Sequence, residues 1–158
     1  MEQIKVRVWD KEQQKFLEIG DSPGQAYPHY SDHLYFVLVG KVDDDGYDYE
    51  IDADILLCSS RTDKNGKEIY AGDIVKYSFK DGSQINTRYM EIIYQSAGFK
   101  MKEIYRDYWL EKTNGVLSLK QGKLLDHKGE TTDLSQSNDL YWTEVVGNIY
   151  ENPELVMH

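Results

Sequence analysis

The feature that most constrains this chain is a two-residue alternation of side-chain character, interrupted at short intervals by turn formers. Ile4-Lys5-Val6-Arg7-Val8 alternates apolar and basic residues, the pattern of a strand with one buried and one wet face. Asp10–Gln14 reads as a polar turn, and Phe16-Leu17-Glu18-Ile19 returns as the second strand of a hairpin. Pro23, Gly24 and Pro28 predict that regular structure stops across residues 20–33. Leu34–Val39 is a short apolar run whose length favours a buried strand over a helix. A tight acidic turn follows at Asp43-Asp44-Asp45-Gly46, then an extended stretch over Ile51–Cys58. Asn65-Gly66 tolerates the left-handed backbone of a two-residue hairpin loop and is the strongest short turn signal. Gly72–Phe79 and Ile85–Tyr94 read as strands closed by Asp81-Gly82 and Ala97-Gly98.

The stretch Phe99–Lys112 fits two periods at once. Met101, Ile104, Tyr105 and Tyr108 have the spacing of an amphipathic face, which predicts a short helix near 103–111. Beyond it, a hairpin is expected around Gln121-Gly122, and a polar loop over Gly129–Asp139. A last strand follows over Trp142–Tyr150, with Asn152-Pro153 as its stop. Many short strands with closely spaced turns point to a mainly β sandwich or small barrel in a single domain.

Composition narrows the function classes. With 158 residues the chain is long enough to bury a core without staples, and one Cys excludes a disulfide-rich secreted scaffold. The net charge of −10 gives a mean field that repels phosphate backbones and anionic membranes. The nearest basic cluster, Lys100, Lys102 and Arg106, is interrupted by Glu103 and followed by Asp107. No apolar run approaches the ~20 residues that span a bilayer, and Met1–Lys5 lacks a signal-peptide core. The expectation is a cytoplasmic protein without membrane contact.

Candidate chemistry is sparse. Aligning Gly46 or Gly66 with the glycine of a calcium loop puts Lys41 or Arg61 at the first ligand position, which a cation cannot fill. His29 and His33 are four apart, yet Pro28 and the lack of a second ligand pair argue for a solvated loop. Cys58 closes an apolar strand as a small hydrophobe, and Ser59-Ser60 lacks a nucleophile-elbow frame. Pairs such as Asp52/Asp54 read as solvated surface, and the scattered glycines form no phosphate loop. No catalytic, cofactor or metal residues are therefore assigned. The 13 tyrosines stand out instead, clustered at Tyr27, Tyr30 and Tyr35, at Tyr47 and Tyr49, and at Tyr105, Tyr108 and Trp109. Aromatic rings with a polar tip bury much area while losing few rotamers. Tyr105, Tyr108 and Trp109 are the candidate partner-binding residues.

Three segments together resemble the YopX family of phage and prophage proteins: Ile4–Lys11 with its Trp9-Asp10, Thr62–Val75, and Val145–Leu155. The match departs at Ser59-Ser60-Arg61-Thr62, before the central block. The resemblance implies an SH3-type small barrel, with its core at about 51–150 and residues 1–50 as additional N-terminal strands packed on it. It also implies a setting in a bacterial host cell, and it carries over no activity, cofactor or substrate. The motif residues read as structural: Asn65-Gly66 a turn, Asp73 an acceptor for backbone amides, Gly147 a bulge, and Ile74, Val75, Ile149 and Tyr150 core. The resulting expectation is a non-enzymatic module that binds a host or phage protein, or further copies of itself. The alternative is a nucleic-acid role, either single-strand binding beside Tyr105, Tyr108 and Trp109 or an acidic DNA mimic.

Overall fold

The computed structural model describes residues 5–20, 22–31, 34–40, 48–81, 84–134 and 142–157, and among these the regular structure is thirteen strands and a short 3-10 helix over Pro153–Leu155. The chain divides into two compact units, Met1–Cys58 and Ser59–His158.

In the first unit, β1 (Val6–Asp10) pairs antiparallel with β2 (Lys15–Leu17) and with the start of β6 (Ala53–Thr62). The hairpin turn forms because the Asp10 carboxylate accepts the amides of Glu12 and Gln13, at 2.9 and 3.1 Å, and Gln14 takes a positive φ. A second sheet is a meander of β3 (Ala26–Ser31), β4 (Leu34–Val39) and β5 (Tyr49–Ile51). Val8, Ala26, Val37 and Val39 make its core, with Leu17, Ile51, Ala53 and Ile55 against them. Regular structure therefore enters the 20–33 stretch, as β3 over Ala26–Ser31. β3 tolerates Pro28 because it is an edge strand, where one side of the backbone has no ladder partner to lose. The acidic turn at 43–46 and His33 lie outside the described residues.

In the second unit, β7 (Glu68–Tyr70) follows β6 through a turn. Gly66 N–H donates to the Asp63 carbonyl at 3.0 Å, and only Gly66 has a positive φ. The loop is thus a type I turn closed by a left-handed Gly, rather than the two-residue form that Asn-Gly suggested. The larger sheet has the order β11-β10-β9-β8-β13, from β8 (Asp73–Asp81), β9 (Gln84–Gln95), β10 (Gly98–Thr113), β11 (Val116–Leu124) and β13 (Thr143–Asn148). The short β12 (Thr131–Asp133) pairs with β10 at Lys100–Lys102. Ile69, Val75, Met90, Ile92, Met101 and Leu134 are buried together, with Tyr77, Phe99 and Val145 around them. Each such side chain contributes about 1.5–3 kcal/mol by leaving water.

The architecture is mainly β, and residues 103–111 are strand, not helix. The reason lies in the ladder. β10 is out of step with β9 between Glu103 and Tyr105 and again between Arg106 and Tyr108. Each bulge inserts a residue and resets the phase of the alternation, so an extended strand acquires three- and four-residue spacings that imitate a helix. The expected hairpin at Gln121-Gly122 is also absent, since β11 runs straight through it. The turn sits at Asn114-Gly115, where both residues have positive φ as a type I′ loop requires. The polar stretch after Gly129 is partly ordered as β12, and Leu134 is core; residues 135–139 lie outside the described set.

Candidate functional site

The register of β10 decides which of its side chains can act together. Lys100, Lys102, Tyr105 and Tyr108 oppose Ile93, Glu91, Tyr89 and Thr87, which alternate along one face of β9. Those four residues of β10 therefore share a face. Arg106 opposes Arg88 on the other face, and Trp109 follows Tyr108 without a register break, so it joins Arg106. The trio Tyr105, Tyr108 and Trp109 is thus split. Trp109 packs against the space left by Gly122, where an added Cβ would lie 3.5 Å from the indole.

On the first face an aromatic and cationic row crosses four strands. Tyr105 stacks on Tyr89 with centroids 4.6 Å apart and planes 20° apart. Lys123 Nζ lies 4.7 Å from the Tyr105 centroid, and Lys76 Nζ 5.9 Å from that of Tyr89. Stacking is worth about 0.5–1.5 kcal/mol, and each exposed cation–π contact about 0.5–1 kcal/mol. Burial, then the neighbouring Tyr89 and Asp107, push the Tyr105 phenol above its usual range. Burial likewise raises the Glu91 carboxyl, with Lys102 opposing. Lys76, Tyr89 and Lys123 were missed in the sequence because cross-strand neighbours depend on register, which no linear motif carries.

The opposite face holds a buried charge network. Glu103 is 4 % exposed and accepts both of its bonds from Arg106 Nε, at 3.0 and 3.1 Å, with Arg88 Nη1 at 3.8 Å. Burial, then the Arg106 charge, lower the Arg88 guanidinium, and Glu103 pulls the other way. The two cations flank one buried carboxylate, as in a structural ion network.

A second set of polar side chains joins distant parts of the second unit. Asp63 Oδ1 accepts the amides of Asn65 and Lys67, both at 2.9 Å, and Oδ2 accepts that of Val145 at 2.9 Å. Burial alone would raise the Asp63 carboxyl; the Val145, Lys67 and Asn65 amides and the Lys67 charge outweigh it and hold it below the ordinary value. Asp73 Oδ2 accepts the Tyr70 amide at 2.8 Å, and Gly72 accepts the Ile149 amide at 2.9 Å. Asn148 Oδ1 accepts the amides of Tyr150 and Glu151, while Asn152 Oδ1 accepts that of Asn148. Gly147 sits at a bulge opposite Ile74, and a Cβ there would meet Asn152 Oδ1 at 2.5 Å. Ile74 and Val75 are core as expected, whereas Ile149 and Tyr150 are only half-buried.

All of these contacts use the blocks 62–75 and 145–155, which carry the sequence resemblance. A family model described as YopX protein matches residues 5–157. The chain belongs to the YopX family. Among solved structures it is similar to the crystal structure of protein EF1440 from Enterococcus faecalis, with 22 % identity over 98 % of this chain and 99 % of that chain and a TM-score of 0.43. No curated protein matches. In this YopX family member the signature residues with described contacts hold backbone together.

The remaining candidates are surface features. Lys11 Nζ lies 3.3 and 3.6 Å from Asp54 and Asp52. His29 is exposed on β3, His127 lies 3.1 Å from Glu130, and Cys58 is half-buried. Among the described residues no group of three or more His, Cys, Asp or Glu converges as a metal set, and no helix is long and apolar enough to cross a membrane.

Proposed function

We propose that this YopX family member is a non-enzymatic interaction module, encoded by a phage or prophage and working in the cytoplasm of a bacterial host cell, built on an SH3-type small barrel. Its partner is a host or phage protein, met through the β10–β11 ribbon. The observation that supports this is a concentration of exposed apolar side chains: Val116, Leu117, Leu119 and Leu125 all lie within ten residues. Leu119 and Leu117 oppose Leu110 and Lys112, two and four residues beyond Tyr108, so these leucines continue the Tyr105–Tyr108 face. Val116 opposes Thr113 on the other face, so Leu117 and Leu119 are the exposed apolar pair on this one, and exposed apolar patches mark contact sites. The test is capture of proteins from a bacterial lysate on the tagged chain, with Tyr108→Ala as the comparison. A protein retained by the wild type and lost by the variant is expected; repeated recovery of none refutes the reading. Self-association is a separate question, answered by mass from light scattering at high concentration.

One observation favours a second reading. Lys76 and Lys123 lie over Tyr89 and Tyr105, and Lys100 and Lys102 share that face further along β10, beside Asp133 and Glu91. Single strands bind such faces through stacking and counterion release. Salt-sensitive anisotropy of labelled single-stranded DNA would support it, and a flat signal at low salt would end it.

A further inference from the structure

Of the six asparagines, only Asn65 and Asn114 precede a glycine. Asparagine is thermally labile, and most so before glycine, which has no Cβ to block the approach of its amide nitrogen to the preceding side-chain carbonyl. Both pairs sit in exposed turns, and at both glycines no heavy atom beyond the chain neighbours lies within 4 Å of where a Cβ would be. Exposure and space therefore do not separate the two positions. Hydrogen bonding does. Gly66 N–H donates to the Asp63 carbonyl at 3.0 Å, Asp63 N–H to the Lys67 carbonyl at 2.8 Å, and Lys64 N–H to the Thr143 carbonyl at 2.9 Å. The Asp63 carboxylate also holds the Asn65 and Lys67 amides, and its other oxygen is tied to Val145. To free the Gly66 nitrogen, the chain must loosen a junction that also anchors β13.

At Asn114-Gly115 nothing comparable exists among the described residues: the Gly115 N–H has no acceptor and the Asn114 side chain no partner. The two-residue loop is closed only by its flanking ladder, Thr113 opposite Val116 and Lys112 opposite Leu117, and all four residues are exposed. From Trp109 onward β10 pairs with β11 alone among the described strands, so the hairpin end can open locally while the rest of the sheet stays closed. We propose that Asn114 is a site of spontaneous covalent modification, from which Asn65 is protected by the Asp63 junction. Gly115 N gives its proton to hydroxide and attacks Asn114 Cγ. A new N–Cγ bond forms, and the side-chain nitrogen takes a proton from water and leaves as ammonia, which regenerates the hydroxide. A further water then opens the cyclic imide. Addition at Cγ gives aspartate; addition at the Asn114 main-chain carbonyl carbon gives isoaspartate, with the backbone running through the former side chain. No oxidant or reductant is consumed. Either product places a carboxylate in a stretch, Lys112–Leu125, that holds three lysines and no acid. Isoaspartate also lengthens the backbone of a loop whose I′ geometry depends on its two-residue length.

The test is peptide mapping by mass spectrometry of the full chain, incubated folded in neutral and in mildly alkaline buffer and sampled over days. Conversion of Asn114 to its acid forms is expected at least roughly tenfold faster than that of Asn65, because the second requires the larger opening. Isoaspartate should accompany aspartate at position 114, and both should form faster in the alkaline buffer, since the attack needs the deprotonated amide. In concentrated urea, where the junction no longer holds, the two asparagines should convert at similar rates; this control needs no folded variant. An unmodified Asn114, conversion of Asn65 as fast as that of Asn114 in the folded chain, or the same ratio of rates with and without urea each overturns the proposal. So does aspartate formed without isoaspartate, the mark of direct hydrolysis rather than the cyclic route.

Discussion

Asp63→Asn offers the sharpest check on the idea that the family signature is a set of backbone staples. The Asp63 carboxylate is 6 % exposed and accepts three amides, one of them from Val145, 82 positions away. An amide side chain can keep its oxygen on Asn65 and Lys67, but it then turns an NH2 group toward the Val145 N–H. One charge-assisted bond is lost and a buried donor is left facing another donor. The lost bond alone is worth about 1.5–3 kcal/mol, and the unmet donor brings the expected loss to about 2–4 kcal/mol. For a unit of this size that lowers the midpoint by on the order of 10–20 °C. The pH dependence follows from the sign of the shift. The carboxyl is held below its unfolded value, so its contribution is present above that unfolded value and disappears as pH falls through the folded one. Urea unfolding followed by far-UV circular dichroism should therefore give a gap between wild type and variant that is full at about pH 7 and narrows steadily below about pH 4. A gap under about 0.5 kcal/mol at neutral pH, or one that stays constant into acid, refutes the stapling argument.

Three further variants probe other parts of the second unit. Glu103→Gln should cost about 3–5 kcal/mol in urea melts, because it leaves Arg88 and Arg106 without their shared carboxylate in a buried setting; a loss below 1 kcal/mol would mean that water already screens the network. Gly147→Ala should destabilise by about 1–3 kcal/mol and by clearly less in an Asn152→Ala background, since the clash is with the Asn152 side chain; additive effects in that cycle would place the strain elsewhere. Ser96→Asn combined with Ala97→Gly should raise stability by about 1–2 kcal/mol, because both residues hold a left-handed backbone with unsuitable side chains; an unchanged thermal midpoint would contradict it.

Strands whose signal is local were legible in the sequence. Leu34–Val39, the hairpin from Val6 to Leu17, and the strand that begins at Asp73 follow from alternation and turn chemistry alone. Asp73 and Gly147 were also readable, since an acid or a glycine at a strand end has few structural uses. What escaped was everything set by a partner strand. The two bulges in β10 disguised a strand as a helix, and Pro28 looked like a stop because sequence does not reveal which strand lies at an edge. The Asn114-Gly115 turn carried the same dipeptide as Asn65-Gly66 and was legible in principle; Gln121-Gly122, inside a continuous strand, drew attention away from it. Proximity in the chain grouped Tyr105, Tyr108 and Trp109, whereas the register places the two tyrosines on one face and Trp109 on the other.

Structural and binding roles place different demands on a sequence of this kind. A staple such as Asp63 needs a particular residue at a particular place, because one carboxylate must reach three amides, so its signature is strong and its role is structural. A strand edge that captures another strand needs only exposure, apolar side chains at alternate positions and a charge sign, requirements that many sequences satisfy. The signature blocks 62–75 and 145–155 therefore hold the sheet together, while residues 109–120, where β10 pairs with β11 alone among the described strands, lie outside both.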